Sequence, residues 1–398
     1  MKILMLTPYL PYPPSSGGQI RSYNLIKQLS KKHEITLYSL IKHNSERQYV
    51  PELEKYCRKV KVFSRPQKPW TLANIFKTGT SLQPFLVIRN FSEDEKQDVA
   101  KVLAEETFDI IHAETFYVSP HIPKTDVPIV LVDQTIEYQV YQHFVENFRL
   151  KFLKPVLGID VLKIKFWETY YWKKAAKVVA VSDADAKKMK ELVPGLDVSV
   201  VPNGVGEDLM EATPLHFSKK VLFMGNYAWL QNIEAAKILA NEVFPKILAK
   251  EPEAKLVIAG QHTERIGEIG SLNIELRDLA IEDVNGVKRA YQESGVLVAP
   301  LYGPGGTRLK ILGAMAAKLP VVTTHIGIEG IDAKNGETVL FGKTSGELAD
   351  MTVKLLRDKK LYEKIAGNAR KLVEERYSYP AIACKLDAIY QEACSGKN

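Results

Sequence analysis

The stretch Gly303-Pro304-Gly305-Gly306-Thr307-Arg308-Leu309-Lys310-Ile311-Leu312-Gly313-Ala314-Met315-Ala316 has the composition of an anion site. Adjacent glycines let backbone N–H groups approach a ligand, and the helical pattern that follows presents its positive end to a phosphate. Arg308 and Lys310 add two cationic side chains at that helix start. A strand-like run over 295–300 precedes the loop and another over 319–323 follows it, so it lies between strand and helix, where α/β proteins hold ligands. Taken alone, the same residues also describe an ordinary turn and helix start.

The elements that must position this loop follow one scheme. Residues 3–7 form a buried-strand run, 8–18 a proline-rich loop ending in Gly17-Gly18, residues from Ile20 to Lys32 keep helical spacing, and 34–40 alternate as a second strand. This is a βαβ opening with a glycine pair at the first helix start. No G-x-G-x-x-G follows the first strand and no acid ends the second, which argues against a dehydrogenase. Further strands are predicted at 59–63, 109–112, 129–133, 177–182 and 198–202. After Asn203-Gly204 and a polar connector over 207–219, strands at 221–225, 256–260, 296–300 and 321–323 alternate with helices at 232–249, 287–293 and 307–317. Residues 345–393 read as helical, broken at Tyr377-Ser378-Tyr379-Pro380. The fold class expected is α/β, with two Rossmann-like domains over 1–205 and 206–376 and a terminal helix over 377–398 packing back on the first.

A chain of 398 residues exceeds the usual reach of one hydrophobic core, which fits two domains. The formal net charge of +7 suits anionic partners without choosing among phosphates, headgroups and nucleic acid. No basic stripe carries readout motifs, so a nucleic-acid partner is not expected. Cys57, Cys384 and Cys394 form no C-x-x-C pair, which favours a reducing compartment and no structural metal. The apolar start is too short for a signal peptide and no apolar run reaches about 18 residues. A cytoplasmic protein is expected.

The order and spacing of Pro8 to Gly18, Ile20-Arg21-Ser22-Tyr23-Asn24-Leu25, His33 to Leu37, Phe108 to Glu114, Val179-Ala180-Val181-Ser182, Val201-Pro202-Asn203-Gly204-Val205, Leu256 to Gly260 and Gly305 to Thr323 resemble the family 4 retaining glycosyltransferases, nucleotide-sugar-dependent enzymes of GT-B fold. The resemblance implies two Rossmann-like domains facing each other across a cleft. The donor would be held mainly by the C-terminal domain through Gly305, Gly306, Thr307, Arg308, Lys310 and Gly313, with Gly17 and Gly18 approaching its phosphates from the N-terminal domain. It implies no cofactor and no metal, the nucleoside-diphosphate sugar being a co-substrate. A departing diphosphate develops negative charge, so N–H donors and cations are the main catalytic requirement. Many members carry Arg and Lys after the first strand of the C-terminal domain. Residues 225–232 here have no cation, which makes Arg308 and Lys310 the substitutes.

The family's usual pair of glutamates, eight residues apart, is replaced by Gly305 and Gly313, and restoring the second as Gly313→Glu is expected to tighten donor binding. His112 and Glu114, placed after a strand end, join Arg308 and Lys310 as catalytic candidates. Asp133 and Glu137 are candidates for acceptor hydroxyls, Asp133 being equally able to cap the following helix. Asp183-Ala184-Asp185 reads as helix-start carboxylates rather than a metal motif. Segments 65–77, 85–91 and 149–174 mix aromatic and basic residues, as headgroup-facing segments or ordinary packed amphipathic helices both do. The function expected is sugar transfer to a hydroxyl of a glycan or glycolipid, peripheral to the inner membrane face if the acceptor is lipid-linked. The alternatives are a non-catalytic nucleotide-sugar or glycan binder, and a sugar-nucleotide epimerase of the same fold.

Overall fold

The structure, a computed structural model, describes residues 1–66, 71–146, 148, 150–269, 273–280, 283–303 and 309–396. They divide into two compact units, Met1–Pro202 with Ala383–Asn398, and Asn203–Ile382. The first contains β1 (Lys2–Thr7), α1 (Gly17–Leu29), β2 (Glu34–Ile41), α2 (Val50–Glu54), β3 (Lys59–Ser64), α3 (Leu72–Thr80), α4 (Phe85–Ile88), α5 (Glu93–Glu105), β4 (Ile110–Glu114), β5 (Ile129–Asp133), α6 (Glu137–Glu146), α7 (Lys154–Lys174), β6 (Lys177–Ala180), α8 (Asp183–Leu192) and β7 (Val198–Val200). Its strands pair in parallel in the order β3-β2-β1-β4-β5-β6-β7. Strands covered on both faces need apolar residues throughout, so β1, β5 and β6 read as runs rather than alternations. Ser16, Ser92 and Ser182 start α1, α5 and α8 by accepting the N–H three residues on. Asp183 and Asp185 thus occupy the first turn of a capped helix, as the residues alone suggested.

The second unit contains α9 (Glu207–Met210), β8 (Lys220–Asn226), α10 (Leu230–Ile238), α11 (Phe244–Lys250), β9 (Lys255–Gln261), β10 (Ile274–Asp278), α12 (Val284–Gln292), β11 (Val296–Ala299), α13 (Leu309–Ala316), β12 (Val321–Thr323), β13 (Leu340–Phe341), α14 (Ser345–Arg357), α15 (Lys359–Arg376) and the start of α16 (Tyr379–Ser395). Its sheet is also parallel, ordered β10-β9-β8-β11-β12-β13. Each order reverses direction at one point, between β1 and β4 and between β8 and β11, and a doubly wound sheet binds ligands beyond the carboxyl ends of those strands.

Several expected boundaries shift. The helix predicted at 232–249 is interrupted by a π-helical turn, Leu239–Val243, just before Pro245. Proline cannot donate to the carbonyl four residues back, and a widened turn absorbs the mismatch. The long terminal helix breaks additionally at Asp358, which closes α14 and caps α15 by accepting Leu361 N–H at 2.9 Å. Strands β10 and β13 were not anticipated. The first is a five-residue strand at the edge of the sheet and the second has two residues, too few to carry a period.

Candidate active site

In the N-terminal unit the carboxyl ends of β1, β4 and β5 carry a buried polar network. His112 and Glu114 lie within β4, not after it, because the strand runs two residues beyond the predicted end. Two-residue alternation therefore puts them on one face. His112 Nε2 meets Glu114 Oε2 at 2.6 Å, and His112 Nδ1 meets the Tyr390 hydroxyl of α16 at 2.6 Å. Glu114 Oε1 accepts from Gln134 Nε2 at 2.6 Å and lies 3.6 Å from Arg21 Nε. Arg21 Nη1 also donates to the Pro202 carbonyl at 2.8 Å. Arg21, His112 and Glu114 are fully buried. Burial pushes the Glu114 carboxyl up, but the bond from His112, the charge of Arg21 and the bond from Gln134 more than offset this and hold it below its usual range.

Gln134 Nε2 also donates to the Tyr9 hydroxyl at 3.0 Å. A Cβ on Gly18 would stand 2.1 Å from that hydroxyl and 3.1 Å from Gln134 Oε1, so only glycine fits at the second position of α1. The structure thereby joins Gly18 to Glu114 and His112 through two residues, Tyr9 and Gln134, that the sequence reading did not single out. Gly17 opens α1 beside it, with Ser16 as N-cap.

Asp133 is fully buried and does not cap α6. Its Oδ1 accepts from Phe116 N–H at 2.9 Å and its Oδ2 from Trp172 Nε1 at 2.5 Å. The cap of α6 is supplied by Glu168 of α7, whose carboxylate accepts from the backbone N–H groups of Glu137 and Tyr138 at 2.7 and 3.3 Å. Burial raises the pKa values of Asp133 and Glu137 to about 7, and neighbouring acids add to it. Glu168 is raised well above its usual value by burial and then by Asp133. Buried together, these carboxyls hold a proton more tightly than free ones do.

In the C-terminal unit Lys310 and Gly313 sit on α13, which follows β11. Lys310 Nζ lies 2.6 Å from Asn232 Oδ1 of α10 and 4.6 Å from the ring centre of Phe223 on β8. Asn232 in turn donates to the Asn226 carbonyl at the end of β8 at 2.7 Å. The ammonium is thus at the carboxyl end of β8, beside the segment 225–232 that lacks a cation of its own. Gly313 is buried, and a Cβ there would stand 2.9 Å from the Tyr291 hydroxyl and 3.1 Å from Leu209 Cδ1. A glutamate could enter only by displacing Tyr291, itself buried, so the expectation that Gly313→Glu tightens donor binding is withdrawn. Gly305, Gly306, Thr307 and Arg308 lie outside the described residues.

Among the described residues no group of three or more His, Cys, Asp or Glu side chains could hold a metal ion, and no helix is long and apolar enough to cross a membrane.

Comparison with known proteins agrees with this layout. Residues 15–209 match the family described as Glycosyltransferase Family 4, and residues 218–358 match Glycosyl transferases group 1. A 44.6 kDa protein of the cps region of Klebsiella pneumoniae is 22% identical over 400 residues, covering 94% of this chain and 96% of that protein. The phosphatidyl-myo-inositol mannosyltransferase of Mycobacterium leprae is 27% identical over 222 residues, 54% of this chain and 58% of the enzyme. Among solved structures, the Anabaena HepE protein in complex with UDP and glucose superposes with a TM-score of 0.64 at 16% identity, covering 98% of this chain and all (100%) of that one. At that identity the likeness establishes the GT-B fold.

Proposed function

Because this chain belongs to the family 4 glycosyltransferases and moves a sugar from a nucleotide sugar, we propose that Lys310 neutralises the donor diphosphate and that the hydroxyl accepting the sugar is carried by a glycan or glycolipid. The observation that supports this assignment is the seat of Lys310 against Phe223 and Asn232, which brings a cation to the end of β8 although residues 225–232 supply none. The charge that develops on a leaving diphosphate is stabilised most by groups already in place, and Lys310 is held by a hydrogen bond and an aromatic face. In the N-terminal unit, Gly17 and Gly18 offer the N–H groups of a helix start to an anion. Asp133 and Glu137, poised near pH 7, suit contact with acceptor hydroxyls, Glu137 by direct contact and Asp133 by fixing Trp172 and Phe116. His112 and Glu114 act by holding Gln134, Tyr9 and Gly18 in place, since both are shut away from solvent. No metal is required in this scheme.

A glycolipid acceptor would be met at a lipid surface. Val156, Ile159, Phe166 and Tyr170 form an exposed stripe at helical spacing along α7, Phe166 being 62% exposed, and Phe152 and Phe76 nearby are 73% exposed. Lys163 of α7 donates to the carbonyls of Thr78 and Ser81, and Trp167 to that of Leu82, so the α3 and α7 faces adjoin. An apolar face of this kind, flanked by Lys151, Lys154, Lys165, Lys173 and Lys174, suits an anionic membrane. By contrast Phe85 to Ile88, counted with the aromatic-basic segments, is buried.

The test is incubation with a panel of nucleoside-diphosphate sugars and hydroxyl acceptors, with and without anionic vesicles. Release of nucleoside diphosphate with formation of a glycoside supports the reading. Interconversion of the sugar nucleotide without acceptor, or binding without turnover, would sink it in favour of an epimerase or a non-catalytic binder.

A further inference from the structure

Three cationic side chains meet at the carboxyl edge of the N-terminal unit's sheet, and none has a role in the scheme above. Lys42 follows β2, Arg65 follows β3 and Arg89 follows α4. The parallel register sets Ile41 beside Ser64, so Lys42 and Arg65 are the next pair along, and Arg65 N–H donates to the Ile41 carbonyl at 3.0 Å. Arg65 Nη1 donates to Asn90 Oδ1, which ties it to the neighbour of Arg89. The group is under like-charge strain. Burial lowers the pKa of Lys42, Arg65 and Arg89 add to that, and Glu46 opposes them. Burial likewise lowers Arg65, with Arg89 adding and Tyr117 and Glu46 opposing.

The facing carboxylates are few. Glu46 Oε1 is engaged by the N–H groups of Lys42 and His43 at 2.8 and 2.7 Å. Glu137 interacts with Arg89, as do the hydroxyls of Tyr117 and Tyr141. Arg65 Nε and Arg89 Nε are buried and make no hydrogen bond within the protein. Two buried guanidinium Nε–H groups without acceptors, beside a third cation at the carboxyl edge of the sheet, point to an anion.

We propose that Lys42, Arg65 and Arg89 form a phosphate-binding subsite for the sugar acceptor, which therefore carries a phosphate ester close to the hydroxyl that is glycosylated. This rests on the glycosyltransferase reading. The guanidinium groups donate to phosphate oxygens, Lys42 adds a point charge, and Glu137 beside Arg89 is placed to contact the neighbouring hydroxyl. A phosphate ester can be a lipid headgroup or a soluble phosphate, and the two are separable.

Thermal stabilisation by glycerol 3-phosphate, and sedimentation with phosphatidylcholine vesicles containing phosphatidylglycerol, are measured for the wild type, Arg65→Gln, Arg89→Gln and Arg65→Lys, all with saturating nucleoside diphosphate. At least one phosphate probe should bind the wild type, each glutamine variant should weaken it roughly tenfold or more, and Arg65→Lys should keep part of the affinity and report an intact fold. A response to vesicles alone assigns a lipid phosphate, a response to glycerol 3-phosphate alone a soluble one, and either supports the subsite. Equal binding by wild type and glutamine variants, or no binding by any, while nucleoside diphosphate still stabilises all four proteins, overturns the subsite and leaves the donor reading standing. Loss of the nucleotide response in the wild type as well would remove both.

Discussion

The two sheets share a topology and differ in what they bury. At the carboxyl edge of the N-terminal sheet, Arg21, His112, Glu114 and Asp133 are enclosed together with Glu168, and Glu95 and His121 are buried elsewhere in the same unit. The C-terminal unit buries an almost wholly apolar core, from Phe223 and Tyr291 to Ile311 and Met315, and leaves Lys310 half-buried at its edge. Buried charge is costly unless partnered, so the N-terminal edge is fixed in one arrangement by mutual hydrogen bonds. The C-terminal edge keeps its cation at the surface, where a ligand can take over its bonds. The buried cluster around β4 thus serves shape, whereas half-buried cations, Lys310 in one unit and Arg65 and Arg89 in the other, stay within reach of a ligand.

Substitutions should separate the two accordingly. Arg21→Ala leaves Glu114 buried without its cation and should destabilise by about 3–5 kcal/mol in urea unfolding. Lys310→Ala should cost far less stability. Gly18→Ala forces a Cβ against the Tyr9 hydroxyl and should destabilise by about 1–3 kcal/mol. Tyr9→Phe in the same chain should recover part of that, and a failure to recover would mean that Tyr9 does not set the glycine.

Glu95 separates the units by pH. Burial raises its pKa from 4.5 to about 8, and neither carboxylate oxygen has a hydrogen-bond partner. Because the folded state binds the proton more tightly, its contribution is fully present below pH 4.5 and is lost as pH rises through 8. Glu95→Gln should therefore gain on the wild type across that window, with a stability gap in thermal melts that widens towards the alkaline end. A gap that does not change with pH would show that Glu95 is not held protonated. The smallest effect is expected at Gly313→Ala, within about 1 kcal/mol, because the gain in helix propensity offsets the close contact with Tyr291.

The doubly wound pattern was readable because strands buried on both faces must be apolar throughout, as in Ile3 to Leu6 and Val296 to Ala299. His112 and Glu114 were found by residue type, but their burial was not, since it depends on Tyr390, 278 residues away in sequence. Tyr9 and Gln134 meet across 125 residues and Lys42 and Arg65 across a strand register, so neither pairing leaves a local signal. Glu168 caps a helix other than its own, where no capping motif could show it. Lys310 was marked by its place after a glycine-rich loop. That its ammonium reaches the cation-free end of β8 depends on the bond to Asn232, 78 residues away in sequence.

The most direct test is the dissociation constant of nucleoside diphosphates for the wild type and Lys310→Met, measured by calorimetry. At least one should bind the wild type, and the variant should bind it roughly tenfold or more weakly, the loss expected for a charge-assisted contact to phosphate. Equal affinity in the two proteins, or no binding of any nucleoside diphosphate to the wild type, would contradict the account.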